Sequence, residues 1–274
     1  MFYGSTFTYG GVSSATYGLV LADFNYSDVE ETSAFSPNVI IDKPAGRHRF
    51  IFGKKSYEEA PSFEMEVVSQ EEISVANRAA IHRWLIAPSG MYSGSYVYQG
   101  WGILTINDSV ISSYSYHATF TEVDDVYFGG RLVGFRLHGV LDAPFAYGTD
   151  TSVSTNGTGS IVAVTIANNS DIGYVYPTVI ISAGGSASSK VTVEYTNVTD
   201  TSNRTTIISQ ISGGSSYTID GENRYITSTV ATEGYGNFNK IWPRLVPGTN
   251  TLNIKAPSGT SVTTVCPTYK MIGM

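Results

Sequence analysis

The chain has 274 residues, of which 42% are hydrophobic and only 14% charged, a balance that excludes a disordered tail and a coiled coil. The formal net charge is −7, and it is uneven: residues 1–150 hold 17 acidic and 9 basic side chains, whereas residues 151–274 hold 6 and 7. Because duplex affinity comes from Lys and Arg displacing counterions from phosphates, the first part is a poor DNA-binding surface.

The first part of the chain combines strands with one helix. Apolar and charged residues alternate over Phe63–Val67, which predicts a half-buried strand. A helix is predicted at about 70–87, with capping-box spacing over Ser69–Glu72 at its start and Pro88 and Gly90 after its end. Its apolar stripe consists of Ile73, Ala76, Ala80, Ile81, Trp84 and Leu85.

Beyond the helix the pattern is that of strands only. Alternation recurs over residues 133–138 and 190–195, and turn signals separate the strands at Gly129-Gly130, Gly184-Gly185, Gly213-Gly214 and Pro247-Gly248. A Ser/Thr/Asn/Gly-rich stretch begins at Thr149. We therefore expect two domains, 1–148 and 149–274, the second a β-sandwich of about eight strands and the whole chain mainly β.

No charged segment followed by an apolar run opens the chain, so no signal peptide is expected. No apolar run approaches the roughly 18 residues that a membrane-spanning helix requires, so no membrane partner is expected. Cys266 is the only cysteine, which excludes an internal disulfide and fits assembly in a reducing cytoplasm. We expect Cys266 to be a buried, unreactive thiol.

Carboxylates crowd at three places: Glu58-Glu59, Glu71-Glu72 and Glu122 to Asp125. A glycosidase needs two carboxyl groups facing each other across a cleft, and neighbouring residues on a strand or helix point apart. Glu64 and Glu66 share one strand face, for which a solvated outer face is the favoured explanation.

The four histidines, His48, His82, His117 and His138, are too far apart for a local metal motif. His82 lies on the polar side of the helical stripe, where we expect solvent. No nucleophile elbow and no phosphate-binding loop occurs in the sequence. The sequence therefore predicts no catalytic, cofactor-binding or metal-binding residue, and no cofactor.

Aromatic residues make up 12% of the chain, with 19 Tyr among them, a bias suited to interfaces and to sugar platforms. Tyr92, Tyr96, Tyr98 and Trp101 cluster between glycines. They could form a carbohydrate shelf, a patch between subunits, or one face of an ordinary strand pair.

Several segments, read in order, resemble the distal tail proteins of long-tailed phages that infect Gram-positive hosts. In the first part they are Met1–Gly4, Tyr17–Val20, Gly46-Arg47, Phe52-Gly53 with Tyr57, Arg83–Leu85, Phe135–Leu137 and Asp142–Ala146. In the second part, Tyr176–Val179 and Trp242–Asn250 before an alternating Thr251–Lys255 strand are similar to the family's galectin-like domain.

The resemblance implies a ring-forming belt domain followed by a galectin-like sandwich on its rim. Six copies would close a homo-hexameric ring in the virion, assembled in the host cytoplasm. One face would seat on the tail tube protein and the other would hold a tail-associated lysin or tail fibre protein, with receptor-binding proteins at or beside the rim. DNA would pass through the channel without specific binding.

Two other functions compete with this structural hub: a carbohydrate-binding module for host attachment and a β-rich glycoside hydrolase. The ladder of polar residues with which true galectins bind sugar is not recognisable in the second part. Trp242 precedes Pro243 in what reads as a structural turn, so we expect a core or hinge residue there.

Overall fold

The computed structural model describes residues 4–24, 38–42, 51–56, 60–86, 97–98 and 100–271. The chain divides into two compact units, Met1–Tyr147 with Met271–Met274, and Gly148–Lys270. Antiparallel strands dominate both units, and the single α-helix of the described residues lies in the first. The prediction of a mainly β chain with one helix in its first part is confirmed. No helix in the described part of the chain has the length and apolarity to span a bilayer.

The first unit is built on an eight-stranded antiparallel sheet. Its elements are β1 Phe7–Tyr9, β2 Val12–Ser13, a 3₁₀ helix Ser14–Tyr17, β3 Leu19–Ala22, β4 Asn38–Asp42, β5 Ile51–Ser56, β6 Ser62–Ser69, α1 Val75–Ile86, β7 Val97–Tyr98, β8 Trp101–Ile106, β9 Tyr116–Phe128, β10 Arg131–Leu141 and β11 Ala146–Tyr147. The strand order is β2-β1-β8-β9-β10-β6-β3, with β7 beside β8, while β4 and β5 form a separate hairpin.

The two ends of this sheet are joined by the residues that precede β1. The Gly4 amide donates to the Leu21 carbonyl at 2.8 Å, and the Leu21 amide donates to the Ser5 carbonyl at 2.9 Å. Nearby, the Ser14 hydroxyl donates to the Leu19 carbonyl at 2.9 Å. The edge of β3 is thus covered, and it does not offer free backbone groups to another strand.

Helix α1 covers one face of the sheet and completes the core of the first unit. The Trp84 ring stacks on Phe7 with centroids 5.5 Å apart, and its indole N–H donates to the Tyr9 carbonyl at 2.9 Å. Burying aromatic rings of this size contributes on the order of 2 kcal/mol each. The largest buried side chains include Phe7, Leu19, Ile81, Leu85, Leu104, Ile106, Tyr116, Phe135 and Leu137.

The start of α1 differs from the prediction. The Ser74 hydroxyl accepts from the Asn77 amide at 3.1 Å, so Ser74 caps the helix, which begins at Val75. Ser69 cannot serve because it ends β6, where it pairs with Leu19. The predicted stop residues, Pro88 and Gly90, lie outside the described residues.

The second unit contains two antiparallel sheets. Its strands are β12 Thr151–Asn156, β13 Ile161–Asn168, β14 Thr178–Ser182, β15 Lys190–Asn197, β16 Thr205–Ser212, β17 Ser216–Asp220, β18 Tyr225–Ser228, β19 Gly248–Lys255, β20 Ser261–Cys266 and β21 Tyr269–Lys270, with a 3₁₀ helix at Tyr235–Asn237. The orders are β12-β20-β14-β17-β18 and β13-β19-β15-β16. Along β15, the predicted Val191, Val193 and Tyr195 are buried, so each sheet has an inner and an outer face, as in a sandwich.

A buried amide holds the turn that enters β19. The Asn250 side chain is fully buried and donates to the carbonyls of Val246 and Gly248 at 2.8 Å. Its oxygen accepts from the Val246 amide at 2.9 Å and from the Asn197 side chain at 2.8 Å. All of its hydrogen-bonding groups are therefore satisfied, which makes burial of the amide tolerable.

Beside this amide lies an ion pair between Asp200 and Arg244. The Arg244 Nε and Nη2 atoms donate to the two Asp200 oxygens at 2.6 and 3.0 Å. The hydrogen bonds from Arg244 outweigh the effect of burial and lower the pKa of Asp200 to about 2. The pair ties the loop after β15 to the segment that leads into β19.

Candidate interaction surfaces

Among the described residues, one face of the first unit's sheet carries a cluster of charges, called here the acid-rich face: Glu64, Glu66, Glu122, Asp124, Arg136 and His138. Strand periodicity places them together, because β6, β9 and β10 are neighbours and the charged residues of β6 and β10 alternate with buried ones. Arg136 contacts Glu64 at 3.0 Å and Glu66 at 2.8 Å. The hydrogen bond to Glu66 raises the pKa of Arg136.

The expectation of a solvated face holds for Glu64 and is wrong for Glu66. The Glu64 side chain is 51% exposed, whereas that of Glu66 is 11% exposed. Glu66 accepts from both Arg136 and the Phe24 amide. The two carboxylates therefore pair with the same arginine and do not face each other across a cleft.

His138 lies close to acidic groups of the neighbouring strand. It lies opposite Glu122 on β9, and its Nε2 atom is 3.4 Å from the Asp124 carboxylate. Ligand atoms of Glu122, Asp124 and His138 all lie within 4.8 Å of one another. These groups could hold a divalent cation, but Glu122 and Asp124 are exposed, and exposed acidic clusters are common without an ion.

The hairpin of β9 and β10 ends in a tip of exposed aromatic residues. Gly129 and Gly130, with φ of +58° and +82°, form the tight turn that the sequence predicts at this pair. Just before the turn, Tyr127 is 59% and Phe128 80% exposed. The hairpin tip, residues 127–131, thus presents apolar area to solvent, which is typical of a contact surface.

An acidic residue of the hairpin anchors α1. The Asp125 carboxylate accepts a hydrogen bond from the Arg78 Nε at 2.6 Å and lies 3.2 Å from the His82 Nε2. Burial raises the pKa of Asp125, but the hydrogen bonds from His82, Arg78 and Tyr127 together lower it. The prediction that His82 faces solvent is wrong, because its ring also packs against Phe135 in a T-shaped contact, with ring centroids 5.8 Å apart.

His117 and Cys266 are both buried. His117 stacks on Tyr147 with centroids 3.8 Å apart and lies 2.8 Å from the Asp142 carboxylate. Cys266 is fully buried, as predicted, and burial raises the pKa of its thiol to about 11. Neither residue is available at the surface for chemistry.

Part of the predicted aromatic cluster is described. Tyr98 and Trp101 pair across the hairpin of β7 and β8, and Trp101 is half-buried. The choice among sugar shelf, subunit patch and strand pair stays open. Several other predicted residues lie outside the described ranges: His48, Glu58, Glu59, Tyr92 and Tyr96.

Trp242 does not lie in the core, the first of the two positions expected for it. It is half-buried at the surface of the second unit. Its ring packs against those of Phe238 and Tyr235, with centroids 4.9 and 6.4 Å away. The neighbouring Pro243 and Leu245 are the residues that point inward. A Trp-Pro turn signal cannot distinguish these positions without the packing around them.

Family models account for nearly all of the chain. Residues 2–139 match a model described as a phage tail protein N-terminal domain, and residues 145–266 match one described as a phage tail C-terminal domain. The chain belongs to this phage tail protein family. No curated protein matches it.

A solved structure of a phage protein shares the fold of this phage tail protein. The Dit protein of phage SPP1, described as a paradigm of the hub adsorption apparatus in phages that infect Gram-positive bacteria, is similar with a TM-score of 0.64 and 14% identity over 96% of this chain and 98% of that chain. A chain of the activated phage P2 baseplate with Ca is similar with a TM-score of 0.46 and 10% identity, over 84% of this chain and 86% of that chain. The resemblance drawn from the sequence is confirmed as membership of a phage tail family with a distal tail protein fold.

Proposed function

We propose that this phage tail protein is a distal tail protein whose six copies close a ring between the tail tube and the baseplate. The observation that carries the proposal is the end-to-end likeness to SPP1 Dit, which covers both units of the chain. In this role the first unit builds the ring and the second is a galectin-like rim domain. The ring is assembled in the host cytoplasm and has no enzymatic activity.

Two unlike surfaces on the first unit support ring closure. A cyclic ring requires heterologous contacts, in which one surface of a subunit meets a different surface of the next. The hairpin tip is apolar, with Phe128 80% exposed, while the acid-rich face is charged. Since β3 is covered by Gly4 and Ser5, the contacts are made by side chains rather than by adding strands to that edge.

The charge of the first unit supports a DNA conduit. Residues 1–150 carry 17 acidic and 9 basic side chains, an excess of eight acids. A surface of this sign repels phosphates, so DNA would slide past it without being held. The ends of the ring would seat on the tail tube protein and hold a tail fibre protein or tail-associated lysin, with receptor-binding proteins at the rim.

Mass and particle shape test the proposal. We expect the purified full-length chain to scatter light as a species of six times 29.5 kDa, with end-on views in electron microscopy showing rings with a central hole. A chain that stays monomeric after tail tube and tail fibre proteins are added would contradict the proposal. Binding of that monomer to cell-wall polysaccharide would favour the carbohydrate-binding module instead.

The enzyme alternative has its own test. We expect no hydrolysis of cell-wall polysaccharide by the wild-type chain. Should turnover occur, Glu64→Gln and Asp124→Asn are the variants to compare, because these carboxylates lie on the same face and each is about half exposed.

A further inference from the structure

Two short segments lie side by side at the surface of the second unit. Residues 174–176 and 242–245 are joined by a pair of backbone hydrogen bonds between Val175 and Leu245, at 3.0 and 2.7 Å. Both of these residues are buried, at 1% and 0% exposed. Since side chains alternate along extended backbone, the residues next to them point outward.

The outward residues form a continuous array of aromatic rings and guanidinium groups. The Arg244 Cζ lies 4.2 Å from the Tyr174 ring centroid. The Arg224 Cζ lies 4.0 Å from the Tyr176 centroid and 5.2 Å from that of Trp242. We call this surface the Trp242 patch, defined by Tyr174, Tyr176, Arg224, Tyr235, Trp242 and Arg244.

The array is held in place before any partner arrives. The Tyr235 hydroxyl donates to the Arg224 carbonyl at 2.7 Å, which ties the strand β18 region to the 3₁₀ helix beside Trp242. Arg244 is fixed by its ion pair with Asp200. Side chains that are already ordered lose less conformational entropy when they bind.

Within the second unit, the patch carries more positive than negative charge. Within the second unit, all of which is described, no carboxylate forms an ion pair with Arg224. The nearest acidic residue in sequence, Glu222, accepts instead from the Tyr269 hydroxyl. Arg204 lines a small cavity together with Trp242 and also forms no ion pair in this unit. Only Arg244 is neutralised, so the surface has an excess of cations on an otherwise acidic chain.

We propose that the Trp242 patch is a docking surface for a partner protein segment that presents carboxylates beside apolar side chains. Tyr, Trp and Arg are the residues that carry most of the energy of protein interfaces. A guanidinium stacked on a ring leaves its N–H edge free to bind a carboxylate with two hydrogen bonds. The inference goes beyond the ring and does not depend on it.

A sugar fits this geometry less well than a protein segment does. Sugars bind aromatic residues through open ring faces, whereas Arg224 lies over both Tyr176 and Trp242. Phe238 also packs against Trp242, with centroids 4.9 Å apart. An anionic side chain gains from the guanidinium groups that would exclude a neutral sugar ring.

The test uses the full-length chain and fluorescently labelled 12-residue peptides in which Asp or Glu alternates with Leu or Tyr. Fluorescence anisotropy should show binding of the acidic peptides, and no binding of the same sequences with Asn and Gln in place of the acids. Arg224→Glu should weaken binding by about tenfold or more, as expected for a central interface residue. The control Lys255→Glu reverses a cation that already pairs with Glu194 at 3.0 Å, and it should leave binding within about twofold.

The unfolding temperature of Arg224→Glu is measured as a control for folding. If it equals that of the wild type, the loss of binding is not caused by unfolding. The inference is overturned if no acidic peptide binds, or if Arg224→Glu binds as tightly as wild type. It is equally overturned if the amide peptides bind as well as the acidic ones. Neutral oligosaccharides that bind the wild type and are lost in Trp242→Ala would assign the patch to carbohydrate instead.

Discussion

Replacing Asp200 with Asn removes the charge of a carboxylate that is only 3% exposed and is bound by Arg244 through two hydrogen bonds. Hydrogen bonds from Arg244, with a smaller contribution from Ser202, lower the pKa of Asp200 from 3.8 to about 2. At roughly 1.4 kcal/mol per pKa unit, this corresponds to about 2 kcal/mol of stabilisation at neutral pH. Because the pKa is lowered on folding, the contribution is complete above pH 3.8 and is lost as the pH falls towards 2.

Amide hydrogen exchange of the full-length chain measures this locally. A loss of about 2 kcal/mol should speed exchange in β15 and β19 about 30-fold at pH 7, and the difference from wild type should shrink below pH 3. The control Asp171→Asn breaks a more exposed pair with Lys270, where Asp171 is 41% exposed, and should change exchange less than about fivefold. Equal protection in wild type and Asp200→Asn at pH 7 would refute the reasoning.

Three further changes probe the first unit. Asp125→Asn weakens the contact with Arg78 and should lower the free energy of unfolding by about 1–2 kcal/mol in urea titrations at pH 7. Because folding lowers the pKa of Asp125, the difference from wild type should shrink as the pH falls from 3.8 through that lowered pKa. Gly139→Ala would place a Cβ 2.4 Å from the Phe63 ring, and thermal denaturation should show a loss of about 2 kcal/mol; an unchanged midpoint would contradict the packing. Phe128→Ser should leave the unfolding temperature unchanged but shift the light-scattering mass below that of the hexamer, and a fully hexameric variant would exclude the hairpin tip from the ring contact.

Features set by neighbouring residues could be predicted from the sequence. Alternation placed Val193 inside β15, and the Gly129-Gly130 pair marked the turn between β9 and β10. Both depend on the period of a strand or on the backbone freedom of glycine, which act within a few residues. The predicted start of α1 was wrong, because the capping hydroxyl is that of Ser74, and the pairing of β6 with β3 makes Ser69 part of a strand.

The surfaces that could carry function were harder to predict, because they join residues far apart in the chain. His82 reads as a solvent-facing residue until Asp125, 43 residues later, is brought beside it by the packing of α1 on the sheet. Glu122 and His138 come together because β9 and β10 pair with a fixed register. Local spacing contains no information about either contact.

The sequence by itself determined the family, the mainly β class, the single helix of the first part and the burial of Cys266, since composition, periodicity and residue order suffice for these. Tertiary structure decided that the residues before β1 cover the edge of β3. It also decided that Arg224, Tyr176 and Trp242 share one surface, although they come from three separate segments. The physical reason is that side-chain direction follows from local backbone, whereas which side chains meet follows from the pairing and packing of distant strands.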